Sequence, residues 1–282
     1  MVTRAGIELD WSTFPESDGE PMAETLDNAV QMVDLQWTLQ TLFARQGRAG
    51  TTTVGGNQFV YYNPLNGRDN ISPDVYVAFD RPPPGPNKWQ TWVEGGFPDI
   101  VWEITSPSTQ ANDLSEAAGG KRALYAQLGT KEYYIYDPEQ VMTPPFQGFA
   151  LRGGRMQPLP VGPGGGMYSA LLGAELRPVT MAATERRPGG TWLRIIDPTT
   201  GQPVPLAEED YRALEAALDH LAQEAQAHAA AEQARTAAEE ARAAAEQARA
   251  AAEERVAYLE AALQALLADP TRLQDPDTGT AH

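Results

Sequence analysis

Apolar residues recur at helical spacing between residues 24 and 45, where Val30, Val33, Leu35, Leu39, Leu42 and Phe43 predict an amphipathic helix ended near Gly47. The pattern then shortens. Residues 57–62 (Asn-Gln-Phe-Val-Tyr-Tyr), 74–79 (Asp-Val-Tyr-Val-Ala-Phe), 99–105 (Asp-Ile-Val-Trp-Glu-Ile-Thr) and 132–136 (Glu-Tyr-Tyr-Ile-Tyr) are β-branched and aromatic runs bounded by turn residues, and they predict strands. A second helix is expected over 120–128, with Ala123, Leu124 and Leu128 on one side. The order α-β-β-β-α-β implies an α/β (α+β) fold, a mixed sheet with helices on its faces. Residues 146–206 hold short strand-like pieces such as Trp192–Ile196 among many Gly and Pro, which predicts a small β extension. The expected division is an irregular arm at 1–20, a core at 21–145, the extension at 146–206, a long helix at 207–268 and a disordered tail at 269–282.

The long helix announces itself by composition. Ala231 to Arg255 contains no Gly, Pro, aromatic or large aliphatic residue, and Ala, Glu, Gln and Arg are among the best helix formers. The segment repeats every seven residues, and its Glu and Arg alternate at spacings of three and four, as ion pairs along a helix require. One heptad column runs from Leu214 and Leu221 through Arg235, Arg242 and Arg249 to Val256 and Leu263. Its companion is Ala217, Glu224, then Ala from 231 to 252, before Leu259 and Leu266. A coiled coil wants apolar residues in both columns over several heptads. The expectation is therefore a homodimer that associates most strongly around Val256 to Leu267, with a single charged helix as the alternative.

Composition removes several chemistries. The 282 residues include no Cys and only three His, namely His220, His228 and His282. A disulfide framework, a zinc ribbon or a Ser-His-Asp triad within residues 1–206 is thus excluded, and acid–base or metal chemistry there falls to carboxylates, Lys or Tyr. The net charge of −17 lies mostly after residue 206, yet the remainder is still acidic, which argues against strong non-specific DNA binding. The first residues lack a basic start and apolar core, and no run of about 18 apolar residues exists. A cytoplasmic protein without a membrane span is expected.

The chemistry concentrates between Ser72 and Pro138. Asp74 heads one strand, Glu103 sits inside the next, and Lys121 opens the following helix. Two carboxylates meeting across a sheet can hold Mg²⁺, and a Lys beside them can orient an attacking water. Glu103 is the sharpest clue, because an unpaired carboxylate between Trp102 and Ile104 is costly to bury. Each residue also has a plainer reading: Glu103 on a solvent-facing side shared with Asp99, Val101 and Thr105, Asp74 and Asp99 as turn residues, Lys121 as a surface lysine.

The stretch resembles the Uma-type family of restriction-endonuclease-like proteins, a branch of the PD-(D/E)XK nuclease superfamily. The residues that carry the resemblance are Pro73-Asp74-Val75, Glu103-Ile-Thr-Ser-Pro-Ser-Thr109, Asp113-Leu114, Lys121 to Tyr125, and Glu132 to Pro138, with weaker likeness around Asp18–Thr25, Gly173–Leu176 and Ile196–Gly201. The resemblance implies a PD-(D/E)XK-type core and hydrolysis of DNA with Mg²⁺ or Mn²⁺. It makes Asp74 and Glu103 metal ligands and Lys121 the catalytic lysine, with Glu24 as an additional acidic residue. The chain departs from the pattern twice: six residues, Ser115 to Gly120, separate Asp113-Leu114 from Lys121 where related sequences have about two, which is four extra, and Asn28 stands where related sequences tend to carry His. A degenerate domain that binds nucleic acid or protein without cutting is the alternative.

Overall fold

The computed structural model describes residues 3–4, 7–8, 14, 26–185 and 187–268. Two short strands, Thr3–Arg4 and Ile7–Glu8, pair antiparallel within the arm expected to be irregular, and residues 269–282 lie outside the described residues. The first helix, α1 (Leu26–Arg45), buries Met32, Leu35, Leu39, Leu42 and Phe43. Val33 is out of phase with that stripe and is exposed, contrary to the expectation. Gly47 adopts a left-handed conformation, and Arg48 N–H donates to the Phe43 carbonyl at 2.8 Å, which ends the helix.

Six strands form the central sheet: β1 (Thr52–Gly55), β2 (Val75–Phe79), β3 (Ile100–Ile104), β4 (Glu132–Tyr136), β5 (Phe146–Arg152) and β6 (Arg155–Pro158). Their order is β6-β5-β4-β3-β2-β1. Neighbours run antiparallel except β3 and β4, whose parallel register requires a crossover. Two helices supply it, α2 (Gln110–Leu114) and α3 (Lys121–Leu128). The expected first strand at 57–62 is not part of this sheet. Only Val60–Tyr61 is extended there, in a separate small sheet with Asn70–Ile71 and Trp89–Gln90. The central sheet takes Thr52–Gly55 instead, a run so short and so close to Gly55-Gly56 that it reads as a turn.

The two faces of the sheet bury different residues. Val75, Val77, Ile100, Trp102 and Ile104 pack on α1. Tyr76, Val101, Tyr133 and Ile135 form a second core with Tyr125 of α3. Past residue 145, β5 pairs with β4 from Phe146 onward, so the central sheet crosses the point where the extension was expected to begin. A three-stranded antiparallel sheet follows, β7 (Met167–Ser169), β8 (Ala174–Met181) and β9 (Gly190–Ile196), in the order β7-β8-β9. It packs on α1, where Gln31 accepts from Leu193 N–H at 2.8 Å and donates to the Leu193 carbonyl at 3.2 Å, capping the open edge of β9.

The long helix α4 spans Ala207–Ala268. Its first turn belongs to the compact unit that ends at Tyr211, and the rest forms a second unit. Glu209 accepts from Leu206 N–H at 2.8 Å, the reach-back half of a capping box, and ion pairs with Arg194 at 2.9 Å. Among the described residues no helix is long and apolar enough to cross a membrane.

A buried polar cluster helps tie the β7–β9 sheet to the central one. Buried Glu132 accepts from the hydroxyls of Tyr134 and Ser169, and Ser169 Oγ accepts from Leu172 N–H. Removing one partner of a buried carboxylate costs about 1–3 kcal/mol. Ser169→Ala is expected to lower stability by that amount, read as a lower urea midpoint with an unchanged slope. A change below about 0.5 kcal/mol would place Glu132 outside the forces that join the sheets.

Candidate active site

The register of β2 and β3 sets the two central carboxylates together. Val75 pairs with Trp102, so the next rung brings Asp74 opposite Glu103, on the face that carries Tyr76 and Val101. Directly opposed residues of an antiparallel pair have Cβ atoms about 4.5–5.5 Å apart. Asp74 Oδ2 accepts from Ile104 N–H at 2.6 Å, which holds the start of β2 against the end of β3. Both carboxylates line a cleft of about 410 Å³ with Asn28, Asp113 and Lys121.

Glu103 has no solvent-facing side. Its neighbours on β3 are buried on both faces and Glu103 itself is 1% exposed, because α3 covers the face that alternation alone would leave open. Its carboxylate is satisfied by two donors from that helix: Lys121 Nζ reaches Oε2 at 2.8 Å and the Tyr125 hydroxyl reaches Oε1 at 2.5 Å. Burial pushes the Glu103 carboxyl above the ordinary carboxylate value, while Lys121 and the Tyr125 hydrogen bond oppose the shift.

Lys121 is the first residue of α3. Its ammonium bridges Glu103 and Asp113, the latter at 3.0 Å. Burial acts to lower its pKa, but Glu103, Asp113 and Asp74 together raise it above the ordinary lysine value, so the group stays charged. The residues inserted ahead of it do not add a helical turn. They leave α2 at Leu114 and close on themselves: Gly120 N–H donates to Ala117 O, Ala123 N–H donates to Ser115 O, and a Cβ on Gly120 would meet the Ser115 carbonyl at 2.6 Å. The excursion is absorbed in the connection between α2 and α3, and a glycine is needed where its ends touch.

Asn28, on the first turn of α1, donates to the Ile104 carbonyl at 3.3 Å at the cleft wall. Glu24 lies outside the described residues. Asp99 sits away from the cleft, accepting from Phe79 N–H and pairing with Lys131 at 2.7 Å, as a turn carboxylate does. Lys88 donates to the Phe14 carbonyl. Two residues whose motifs were visible but whose roles were not are Tyr125 and Asp113. Asp113 is 1% exposed and accepts from Thr105 Oγ1 at 2.7 Å. The available signal was its place on the crossover beside Leu114, a residue that packs inward.

The sequence profile of the Uma2 family, described as "Putative restriction endonuclease", matches residues 17–180, more than half of the chain. The chain belongs to this family. That span holds Asp74, Glu103, Asp113 and Lys121, and membership supports a nuclease-like function for the region. Among solved structures the chain is similar to "a putative nuclease belonging to DUF820" from Anabaena variabilis, at 14% identity and a TM-score of 0.37, over 56% of this chain and 82% of that one. No curated protein matches.

The Lys121 bridge has a pH signature. A lysine with a raised folded-state pKa contributes stability that is complete below its unfolded value and is lost only as pH climbs through the folded value. Without that cation, Glu103 must ionise unpaired, and its preference for the protonated form grows. Lys121→Met is therefore expected to cost about 3–5 kcal/mol near pH 8, as breaking a buried pair does, and clearly less near pH 5, where Glu103 can keep its proton. Urea melts in a chelator at the two pH values read the difference. An equal loss at both would contradict the bridge.

Proposed function

We propose that the chain is a metal-dependent endonuclease that hydrolyses phosphodiester bonds of DNA, working as a cytoplasmic homodimer. The observation that carries this reading is the meeting of Asp74, Glu103 and Lys121 in one cleft, with the lysine ammonium 2.8 Å from the glutamate.

The donor set suits a hard divalent cation. Among the described residues no group of three or more acidic or imidazole side chains converges, so a cation would be held by two carboxylates, Asp74 and Glu103. Mg²⁺ is commonly bound by one or two carboxylates, with water and substrate oxygens completing its shell. A carboxylate has about four lone-pair sites, so the hydrogen bonds from Lys121 and Tyr125 leave Glu103 two with which to coordinate. When bound, Mg²⁺ or Mn²⁺ supplies Lewis-acid polarisation of the phosphate and charge to stabilise the leaving oxygen. Lys121, kept charged by its neighbours, offers protons to a phosphate oxygen or orients a water, and serves as an electrostatic group rather than a base. Asp113 holds the lysine from the far side. Tyr125 fixes the rotamer of Glu103.

A second reading, a nuclease-like domain that binds without cutting, has one observation in its favour: Lys121 already neutralises the buried carboxylates in a chain whose net charge is −17. Supercoiled plasmid separates the two. The intact chain is expected to nick it in Mg²⁺ or Mn²⁺ and not in chelator, and Glu103→Gln, which keeps volume and removes the charge, is expected to reduce cutting at least about 100-fold, the scale of a lost electrostatic group at a reacting centre. Unchanged cutting by a folded Glu103→Gln protein would make Glu103 structural. No cutting by the intact chain would favour the second reading.

A further inference from the structure

The helix α4 keeps one seven-residue register without interruption from Leu214 to Leu263. With position a at Leu214, position a is Leu214 and Leu221 at the start, His228, Arg235, Arg242 and Arg249 in the middle, and Val256 and Leu263 at the end. Position d is Ala from 231 to 252 and then Leu259. Beside a, position e is Glu at every heptad from 232 to 260, and beside d, position g is Ala from 227 to 248. Leu214, Leu221, Val256, Leu259 and Leu263 are each more than half exposed. Exposed leucines in phase at both ends of a 62-residue helix call for a partner with the same register, and a second copy of the chain has it.

Orientation follows from charge. In a parallel pair each a residue meets its own copy, which stacks Arg on Arg at three successive heptads and Glu224 on Glu224. In an antiparallel pair a meets d, and like flanks meet like. With Leu221 beside Leu259 of the other copy, Arg235, Arg242 and Arg249 fall opposite Ala245, Ala238 and Ala231. The alanines of d and g then gather on one side, where small side chains allow close approach. The arginines lie on the other side among glutamates of both copies, extending the ladder already formed within one helix by Arg235–Glu239 and Arg249–Glu253.

We infer that α4 pairs antiparallel with the α4 of a second copy, Leu221 of each against Leu259 of the other. This extends the homodimer of the preceding reading and makes no use of its chemistry. At 1.5 Å per residue the two helix starts lie about 100 Å apart.

The chain contains no Cys, which makes disulfide trapping in the full-length protein clean. Leu221→Cys and Leu259→Cys are exposed substitutions that leave the body of the protein untouched. Mixed and mildly oxidised, the two variants are expected to give several-fold more covalent dimer than either alone, and the unsubstituted chain is expected to sediment as a dimer. Efficient self-linking of either variant would mean a parallel pair and overturn the inference. A monomer in sedimentation, or a dimer that neither variant nor their mixture can trap, would overturn it too. The readout is association alone, so it stands or fails separately from plasmid cutting.

Discussion

A carboxylate in the middle of a strand buried on both faces must be paired, and Glu103 is the residue around which this protein is arranged. Ionised and alone at 1% exposure it would cost several kcal/mol. Lys121 and Tyr125 meet it from one helix at 2.8 and 2.5 Å. That helix can cover the strand only because β3 and β4 run parallel and a crossover must pass over their face. The crossover also brings Asp113 to the other side of the lysine. Fold and charge arrangement are thus one constraint.

The remaining architecture supports that arrangement from the opposite face. Trp102 and Ile104, on either side of Glu103, point into the core shared with α1, and Trp102 stacks on Tyr134 with ring centroids 5.4 Å apart. Alternation along β3 therefore divides labour: even positions pack toward α1, and odd positions face α3, with Val101 in the second core and Glu103 at the cleft. Family membership over residues 17–180 covers this core and leaves α4 outside, so the heptad helix is an addition to it rather than a part.

Much of this was legible in the sequence. The strands at 75–79, 100–104 and 132–136 are dense runs of β-branched and aromatic residues, but the first strand of the expected α-β-β-β-α-β order was placed at 57–62, outside the central sheet. The edge strand Thr52–Gly55 was not legible, because four residues next to Gly-Gly carry no periodicity. The burial of Glu103 was ambiguous, since Asp-Ile-Val-Trp-Glu-Ile-Thr alternates equally well beside water or beneath a helix, and only the crossover decides. Lys121 was visible by its motif, and the residues inserted ahead of it loop out and close at Gly120. Asp113 was visible as a motif without a role, because the ion pair that gives it one spans two helices.

In the proposed function Asp74 and Glu103 together hold a divalent cation beside a charged lysine. Calorimetric titration of Mn²⁺ into the full-length chain tests it most directly, with Asp74→Asn and Glu103→Gln as the comparison. Binding is expected at one site per chain in the unsubstituted protein and is expected to be lost in both variants, with folding intact. Equal binding by all three proteins, or none by the unsubstituted chain, would contradict it.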